Sequence, residues 1–356
     1  MATHCYIKNI KLYNFRNHAN FELNAENNSV IVTGKNGIGK TNILEAISLL
    51  AKSNGMKKAK ISEMQNRFYS QDWAVHYNFF NGTEFNSIGI AKSMSKKSVQ
   101  IDGKVQSTHS SLYKLSNVIW LIPQMDQILI NSPSDRLKFL DRIVSLFEEN
   151  YTCCYMKYRK AKHERSKLLR KNILDDHWLS SLEKIMAINA VEILRMRLSV
   201  LKMLQDTIDN HSSKAFPKAS LRFSSQLASN ETVEYCQSRL KESRAKDALI
   251  GRVTFGIHND NFQVFYQDIP ITLCSTGEQK LLLLSIILSS VKARSAKAPI
   301  LLLDDIMSHL DQHYRKALIE EVLDIRCQTW ITDVNQENFN DYCKAFKFFT
   351  LASNHY

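Results

Sequence analysis

The stretch VTGKNGIGKTNILEAISLL, residues 32–50, constrains this chain more than any other. Gly34 to Thr41 spell G-x-x-x-x-G-K-T. Gly34, Gly37 and Gly39 let the backbone turn tightly enough for its N–H groups to face phosphate oxygens. Upstream, SVIVTG reads as a buried strand, and downstream Ile43, Ala46, Ile47, Leu50 and Ala51 make the apolar face of a helix. The N-terminal end of such a helix adds partial positive charge to the anion site. In this context Lys40 reaches the β- and γ-phosphates and the Thr41 hydroxyl ligates magnesium. Motors, switches, kinases and repair ATPases all use such a loop, so the loop alone defines a nucleoside triphosphate site.

A second stretch narrows the choice. In APILLLDDIMSHLDQ, residues 298–312, four apolar residues after a proline form a buried parallel strand, and Asp304 and Asp305 emerge at its carboxyl end, where open α/β sheets place ligands. Two adjacent carboxylates there need a cation. Asp304 is expected to hold magnesium, and Asp305 to orient the attacking water or accept its proton. Taken without the loop, the pair would read equally as the N-cap of a helix. A third stretch, CSTGEQKLLLLSIILSS, sets Ser275, Gly277 and Gln279 just before a strongly apolar helix. Alone it is a turn before a core helix. It stands 27 positions ahead of Asp304 and over two hundred residues after the loop.

Net charge speaks to the partner. The 356 residues carry a formal charge of +12, an excess that concentrates polyanions and favours nucleic acid. Residues 152–171, TCCYMKYRKAKHERSKLLRK, hold eight Lys or Arg against one glutamate. Lys157, Arg159, Lys160, Lys162, Arg165 and Lys167 are the candidate DNA contacts, the alternative being a solvated helix. Lys57, Lys58, Lys60, Lys92, Lys96 and Lys97 form a possible second surface. Contact of this kind reads backbone phosphate rather than sequence, and neither a helix-turn-helix nor a zinc finger is present to read bases. The opening residues carry charge where a secretory signal would be apolar, and LLLLSIILSSV, residues 281–291, is too short to span a bilayer. A cytoplasmic protein without a membrane partner is the expectation. Seven cysteines without C-x-x-C or zinc spacing are expected to be reduced. The absence of N-K-x-D disfavours a GTPase.

Strand patterns fill the first 50 residues. Short strand-like pieces follow to residue 118, mostly helix from Ser132 to about Phe216, and alternating strand and helix after GRVTFGIHNDNFQVFYQ. Ser132 with Pro133 reads as a helix cap. The fold class is α/β: a P-loop ATPase head with a β-rich subdomain and an inserted, mainly helical arm. The head is drawn from residues 1–125 plus 245–356, and the arm from 126–244.

Three ordered nucleotide motifs resemble those of ABC-type ATPases. Together with LYNFRN (12–17) and SPSDRLKFLD (132–141), they look like the RecF family of bacterial recombination mediators, related to SMC proteins, over essentially the whole length. The resemblance implies ATP and Mg2+ as cofactors, with Gly34, Lys35, Asn36, Gly37, Ile38, Gly39, Lys40, Thr41 and Asn42 around the nucleotide. It also implies that Ser275, Gly277 and Gln279 meet the γ-phosphate held by a second subunit, so that ATP is sandwiched in a homodimer. Metal then falls to Thr41 and Asp304, and catalysis to Asp305, Lys40 and Gln124. Gln124 is placed as a γ-phosphate sensor, though a polar residue opening a loop reads equally well there. The implied activity is weak, DNA-dependent ATP hydrolysis. The implied role is recombinational repair on gapped duplex, single-stranded DNA or single/double-strand junctions, with RecR- and RecO-type partners and recombinase loading. An ABC transporter ATPase subunit is the alternative. Two departures stand out: Ile257 and Asn259 interrupt the segment around His258, leaving it a structural histidine, and Thr332 and Asp333 stand where a transporter head carries its switch histidine.

Overall fold

The computed structural model describes residues 4–352 apart from 52–54, 70, 94–95, 108–111, 113–114, 174, 212–214, 228–229, 295–297 and 326. In chain order the elements used below are β1 (Tyr6–Phe15), β2 (His18–Asn24), β3 (Ser29–Thr33), α1 (Lys40–Ser48), β4 (Ala74–Phe80), β5 (Phe85–Ser93), β6 (Lys96–Ile101), β7 (Lys104–Val105), β8 (Val118–Leu121), α2 (Pro133–Phe147), α3 (Tyr151–Arg170), α4 (Asp176–His211), β9 (Ser220–Ser224), α5 (Val233–Glu242), α6 (Arg244–Ile250), β10 (Asn261–Tyr266), β11 (Ile269–Pro270), α7 (Thr276–Lys292), β12 (Ile300–Asp304), α8 (Gln312–Ile325), β13 (Thr329–Asp333) and β14 (Phe346–Thr350).

Residues 1–125, 213–216 and 286–356 make one compact unit. Its centre is a parallel sheet in the order β14-β3-β13-β12-β8, and every residue of β8, β12 and β13 is buried. Strands covered on both faces carry continuous apolar runs rather than alternation, which is why ILLL is readable from sequence. A second, antiparallel sheet runs β2-β1-β4-β5-β6-β7. Gln328 ties the two together: its amide oxygen accepts from the Ile7 N–H at 2.8 Å and its amide nitrogen donates to the Ile7 carbonyl at 2.9 Å. Tyr77 of β4 donates to the Ala46 carbonyl of α1 at 2.6 Å, anchoring the helix that follows the phosphate loop.

Residues 126–212 and 217–285 make the other unit. Helix α2 begins at the Ser132 cap, whose hydroxyl accepts from the Asp135 N–H at 3.3 Å, with Pro133 in the first turn. Helices α3 and α4 pack side by side, with α5 and α6 against them, and β9, β10 and β11 form a three-stranded antiparallel sheet. The first unit runs to Met125, takes in residues 213–216 and resumes at Ile286, whereas the sequence reading draws the head again from residue 245. The reason is partner choice: the alternation in NFQVFY suits any antiparallel neighbour, and the neighbour is β9, formed by SLRFS. All seven cysteines are free thiols. Among the described residues, no helix is long and apolar enough to cross a membrane.

Candidate functional site

Strands β3, β13 and β12 lie side by side and parallel, with Thr33 beside Asp333 and Thr332 beside Asp304. Their carboxyl ends therefore bring Gly34, Thr332, Asp333 and Asp304 to one edge. The phosphate loop spans Gly34 to Gly39, and α1 starts at Lys40. Gly39 has φ 112°, and a Cβ there would lie 2.5 Å from Asn17 Oδ1 and 2.7 Å from His18 Nε2. Conformation and crowding both demand glycine.

Lys40 is buried, and its ammonium donates to the carbonyls of Gly34 at 2.6 Å and Lys35 at 3.0 Å. Burial holds its pKa below the ordinary lysine value, against the pull of the Asp305, Asp304 and Asp333 carboxylates. Thr41 donates to Asp304 at 2.9 Å (Oδ1) and 3.1 Å (Oδ2). Thr332 donates to Asp304 Oδ1 at 2.8 Å and accepts from the Asp305 N–H at 2.9 Å. Burial raises the Asp304 carboxyl above its ordinary value, partly offset by these Thr332 and Thr41 bonds. Asp305 adopts φ 50°, an uncommon conformation for a side chain-bearing residue. Its buried Oδ1 has no hydrogen-bond partner among the described residues.

These features fit a magnesium-bound triphosphate. A hydroxyl and a carboxylate are hard oxygen donors, and magnesium is usually held by one or two carboxylates plus substrate phosphates rather than by a protein cage. Among the described residues, no group of three or more His, Cys, Asp or Glu is arranged to hold an ion unaided. The buried orphan oxygen of Asp305 needs a donor from outside the chain, as an attacking water would supply. The ammonium of Lys40, at a helix N-terminus and resting on carbonyls, is free to turn to an anion.

Other expected residues divide. Lys35, Asn36 and Gly37 are exposed on the loop, and Ile38 is half-buried. Asn42 does not face outward: its amide donates to Asn17 Oδ1 at 2.6 Å and accepts from Lys57 at 3.3 Å. Gln124 is exposed in the short turn after β8, the strand beside β12. The sequence reading missed the brace under the loop. Asn17 donates to the Ile38 carbonyl at 2.8 Å, His18 Nε2 donates to the Gly39 carbonyl at 3.1 Å, and Arg16 grips the buried Glu45 of α1 at 2.8 Å. The only signal was the polar Arg16-Asn17-His18 turn between two strand patterns.

In the other unit, Ser275 is exposed at the start of α7. Its hydroxyl donates to Glu278 Oε2 at 2.8 Å, as does its N–H, while the Glu278 N–H returns to the hydroxyl at 3.3 Å. This is a capping box. Gly277 is exposed, with open space where a Cβ would stand. Gln279 corrects an expectation: it is buried, and its amide donates to the carbonyls of Ile271 at 3.1 Å and Cys274 at 2.9 Å. It shapes the turn that presents Ser275 and does not itself face outward.

The basic helix α3 is corrected at one position. Lys157, Arg159, Lys160 and Lys167 are exposed and Lys162 is half-buried, but Arg165 is fully buried. It donates to Glu183 at 2.9 Å, to Asp247 at 2.6 Å and to the Leu240 carbonyl at 2.6 Å. A charge run cannot show which of its members faces inward. On the candidate second surface, Lys58, Lys60 and Lys96 are exposed, while Lys97 donates to the Leu49 carbonyl at 3.2 Å and Lys92 is paired with Asp72 at 3.0 Å. His258 is structural, with Nδ1 2.8 Å from the Tyr158 hydroxyl and Nε2 3.0 Å from the Val253 carbonyl.

Comparison with known proteins bears on the family and the fold. The family described as RecF/RecN/SMC N terminal domain matches residues 6–355. The DNA replication and repair protein RecF of Rickettsia akari is 34% identical over 363 residues, covering 97% of this chain and 99% of that protein. Its counterpart in Rickettsia massiliae is 35% identical over 354 residues, covering 95% and 96%. Among solved structures, the recombination mediator protein RecF with ATP in the RecFOR pathway superposes with a TM-score of 0.84 at 22% identity, covering 94% of each chain. The Smc head domain of Pyrococcus furiosus gives 0.58 at 16% identity, covering 97% and 93%. The fold is that of the ABC-type ATPase head shared by these proteins.

Proposed function

The chain belongs to the RecF family, and from that premise we propose that it is an ATP-dependent DNA-binding protein of replication and recombinational repair. ATP and magnesium are taken by Gly34 to Thr41 with Asp304, and hydrolysis is slow. The observation that carries the reading is the gathering of Lys40, Thr41, Asp304 and Asp305 at one sheet edge, where the buried Oδ1 of Asp305 has no hydrogen-bond partner among the described residues. When bound, magnesium supplies charge neutralisation at the phosphates. The chain's own residues do the rest. Lys40 turns from its carbonyls to the β- and γ-phosphates, and Thr41 and Asp304 hold the metal. Asp305 orients the attacking water through Oδ1.

The exposed Ser275 and Gly277 fit a partner-facing role. A second copy would lay this helix start on the γ-phosphate, making a symmetric two-site dimer. The exposed basic side chains of α3 would hold DNA backbone, and linkage then requires ATP and DNA to strengthen each other's binding. The substrates are gapped or junction DNA, the partners are RecR- and RecO-type mediators, and the outcome is recombinase loading. These extend what the names of the RecF relatives say of those proteins. Membership in a DNA-repair family weighs against the transporter alternative.

Light scattering with and without ATP, repeated with single/double-strand junction DNA, tests the whole proposal. We expect a nucleotide-dependent doubling of mass that junction DNA reinforces. A protein that stays monomeric at saturating ATP and binds junctions equally well without it overturns the reading. Ser275→Arg is expected to keep nucleotide binding while losing the doubling.

A further inference from the structure

The hydroxyl of Thr332 does two things at once. Its proton goes to Asp304 Oδ1 at 2.8 Å, and its oxygen accepts the Asp305 N–H at 2.9 Å. One side chain on β13 thus clasps two consecutive residues of the neighbouring strand end, and strand register makes this possible, since Thr332 and Asp304 are direct partners in the parallel ladder. Asp304 is also held by Thr41, but Thr41 sits in the first turn of α1, directly after the loop that must accommodate phosphate. Thr332 lies on a fully buried central strand between β3 and β12. It is the hold that does not depend on the loop.

The two groups that Thr332 holds are those whose direction matters. Asp305 takes φ 50°, a left-handed turn, and so depends on its surroundings to stay there. Its N–H is fixed by Thr332, while its buried Oδ1 has no hydrogen-bond partner among the described residues. A β-branched side chain is stiff about χ1, so a buried threonine aims its hydroxyl with little freedom. Serine would supply the same bonds less firmly, and valine would fill the same space without them.

We infer that Thr332 is a positioning residue of the ATPase centre, setting the Asp304 carboxylate for metal and the Asp305 carboxylate for water through one shared hydroxyl. The inference rests on the ATPase reading above and deepens it. Groups that orient metal ligands typically cost about 10–100-fold in metal affinity or activity when removed. The touch of Thr332 on both carboxylate residues places it in that class.

The test compares Thr332→Val and Thr332→Ser with the unaltered full-length protein, using affinity for a fluorescent ATP analogue with and without Mg2+, steady-state hydrolysis and thermal melting. For Thr332→Val we expect a half-saturating Mg2+ concentration about tenfold higher and kcat lower by about 10–100-fold. Affinity for the analogue without Mg2+ should stay within about twofold, because Lys40 and the loop are untouched. Thr332→Ser should lie within about threefold of the unaltered protein throughout, since the hydroxyl remains. A folded Thr332→Val protein with unchanged Mg2+ dependence and turnover overturns the assignment. So does a folded Thr332→Ser protein as impaired as the valine variant. If valine prevents folding, Thr332→Cys, a weaker donor of similar size, must show a raised Mg2+ requirement, and an unchanged one overturns the assignment. A wild-type chain that neither binds the analogue nor hydrolyses ATP removes the parent reading instead, so the two failures are distinguishable.

Discussion

Lys40 in the phosphate-loop unit and Arg165 in the helical unit are both cations withdrawn from water, yet their surroundings treat them in opposite ways. Arg165 is fully committed: its Nε, one terminal nitrogen and the other each meet an acceptor, namely Glu183, Asp247 and the Leu240 carbonyl. Arg244 grips the same Glu183 at 2.6 Å. Lys40 rests on two carbonyls of its own loop, with its pKa held down by burial and the carboxylates of Asp304, Asp305 and Asp333 close enough to act on it. A buried charge with all partners in place pins helices together and resists change. One held by replaceable neutral acceptors is ready to exchange them for phosphate. The incompleteness of the second site, shown most plainly at Asp305 Oδ1, is what a binding site requires.

The largest expected effect lies on the incomplete side. Asp305→Asn should lower ATP hydrolysis by about 10²–10⁴-fold, the range for losing a positioned acid or base. Its melting temperature should barely move, because Oδ1 makes no bond in the fold. Single-turnover hydrolysis and calorimetry check this, and normal turnover would remove Asp305 from catalysis. On the committed side, Arg165→Leu deprives the buried Glu183 and Asp247 of their shared cation. Such a break costs about 3–5 kcal/mol. Urea denaturation should register it in the helical unit, and a stability within 1 kcal/mol of the original would mean that those carboxylates find other partners, with ~1 kcal/mol taken as the spread for an ordinary substitution.

Acid sharpens the contrast further. Burial pushes His258 down to about 4, from an ordinary value of 6.5. The folded state therefore binds fewer protons than the unfolded chain between those values. Stability from the neutral imidazole is complete above about 6.5 and is lost as pH falls toward 4. At the acid end of that window the loss should reach about 2 kcal/mol, on a scale of roughly 1.4 kcal/mol per pH unit with allowance for partial exposure. Replacing His258 with Gln should flatten the pH dependence of the melting temperature over this interval. An unchanged slope would locate the acid sensitivity elsewhere.

The smallest stability effect belongs to the outer face of α3. Lys157→Ala or Lys160→Ala should alter stability by no more than about 0.5 kcal/mol, since both side chains are exposed. Each should weaken DNA binding uniformly across sequences and reduce the salt slope by about one. Affinity titrations at several salt concentrations measure this. Equal slopes for the variants and the original would return α3 to the status of a solvated helix.

Much of the phosphate-loop unit was legible because its signals are local. Glycine spacing, a continuous apolar run and two carboxylates after it are properties of consecutive residues, and the parallel strands and loop follow from them. The role of Thr332 was not legible in this way. The residue stands 28 positions from Asp304, and nothing nearby says that β13 will lie beside β12 in that register. The unit to which β10 belongs was not legible for a similar reason: β10 alternates as a head strand would, but it pairs with β9 inside the helical unit. Gln279 and Arg165 show the converse. Both belong to stretches that the sequence singled out, and both point inward.

The amino-acid sequence by itself determined the chemistry available to this protein: a glycine loop suited to phosphate, a carboxylate pair suited to a cation, a capped helix start, and a basic surplus suited to polyanions. These follow from backbone freedom, charge and periodicity, which act over a few residues. Only the tertiary structure decided which cation is an internal strut, which hydroxyl holds both carboxylates, and which oxygen is left without a partner. Those outcomes depend on residues far apart in the chain occupying the same few ångströms, and packing and strand register alone bring them together.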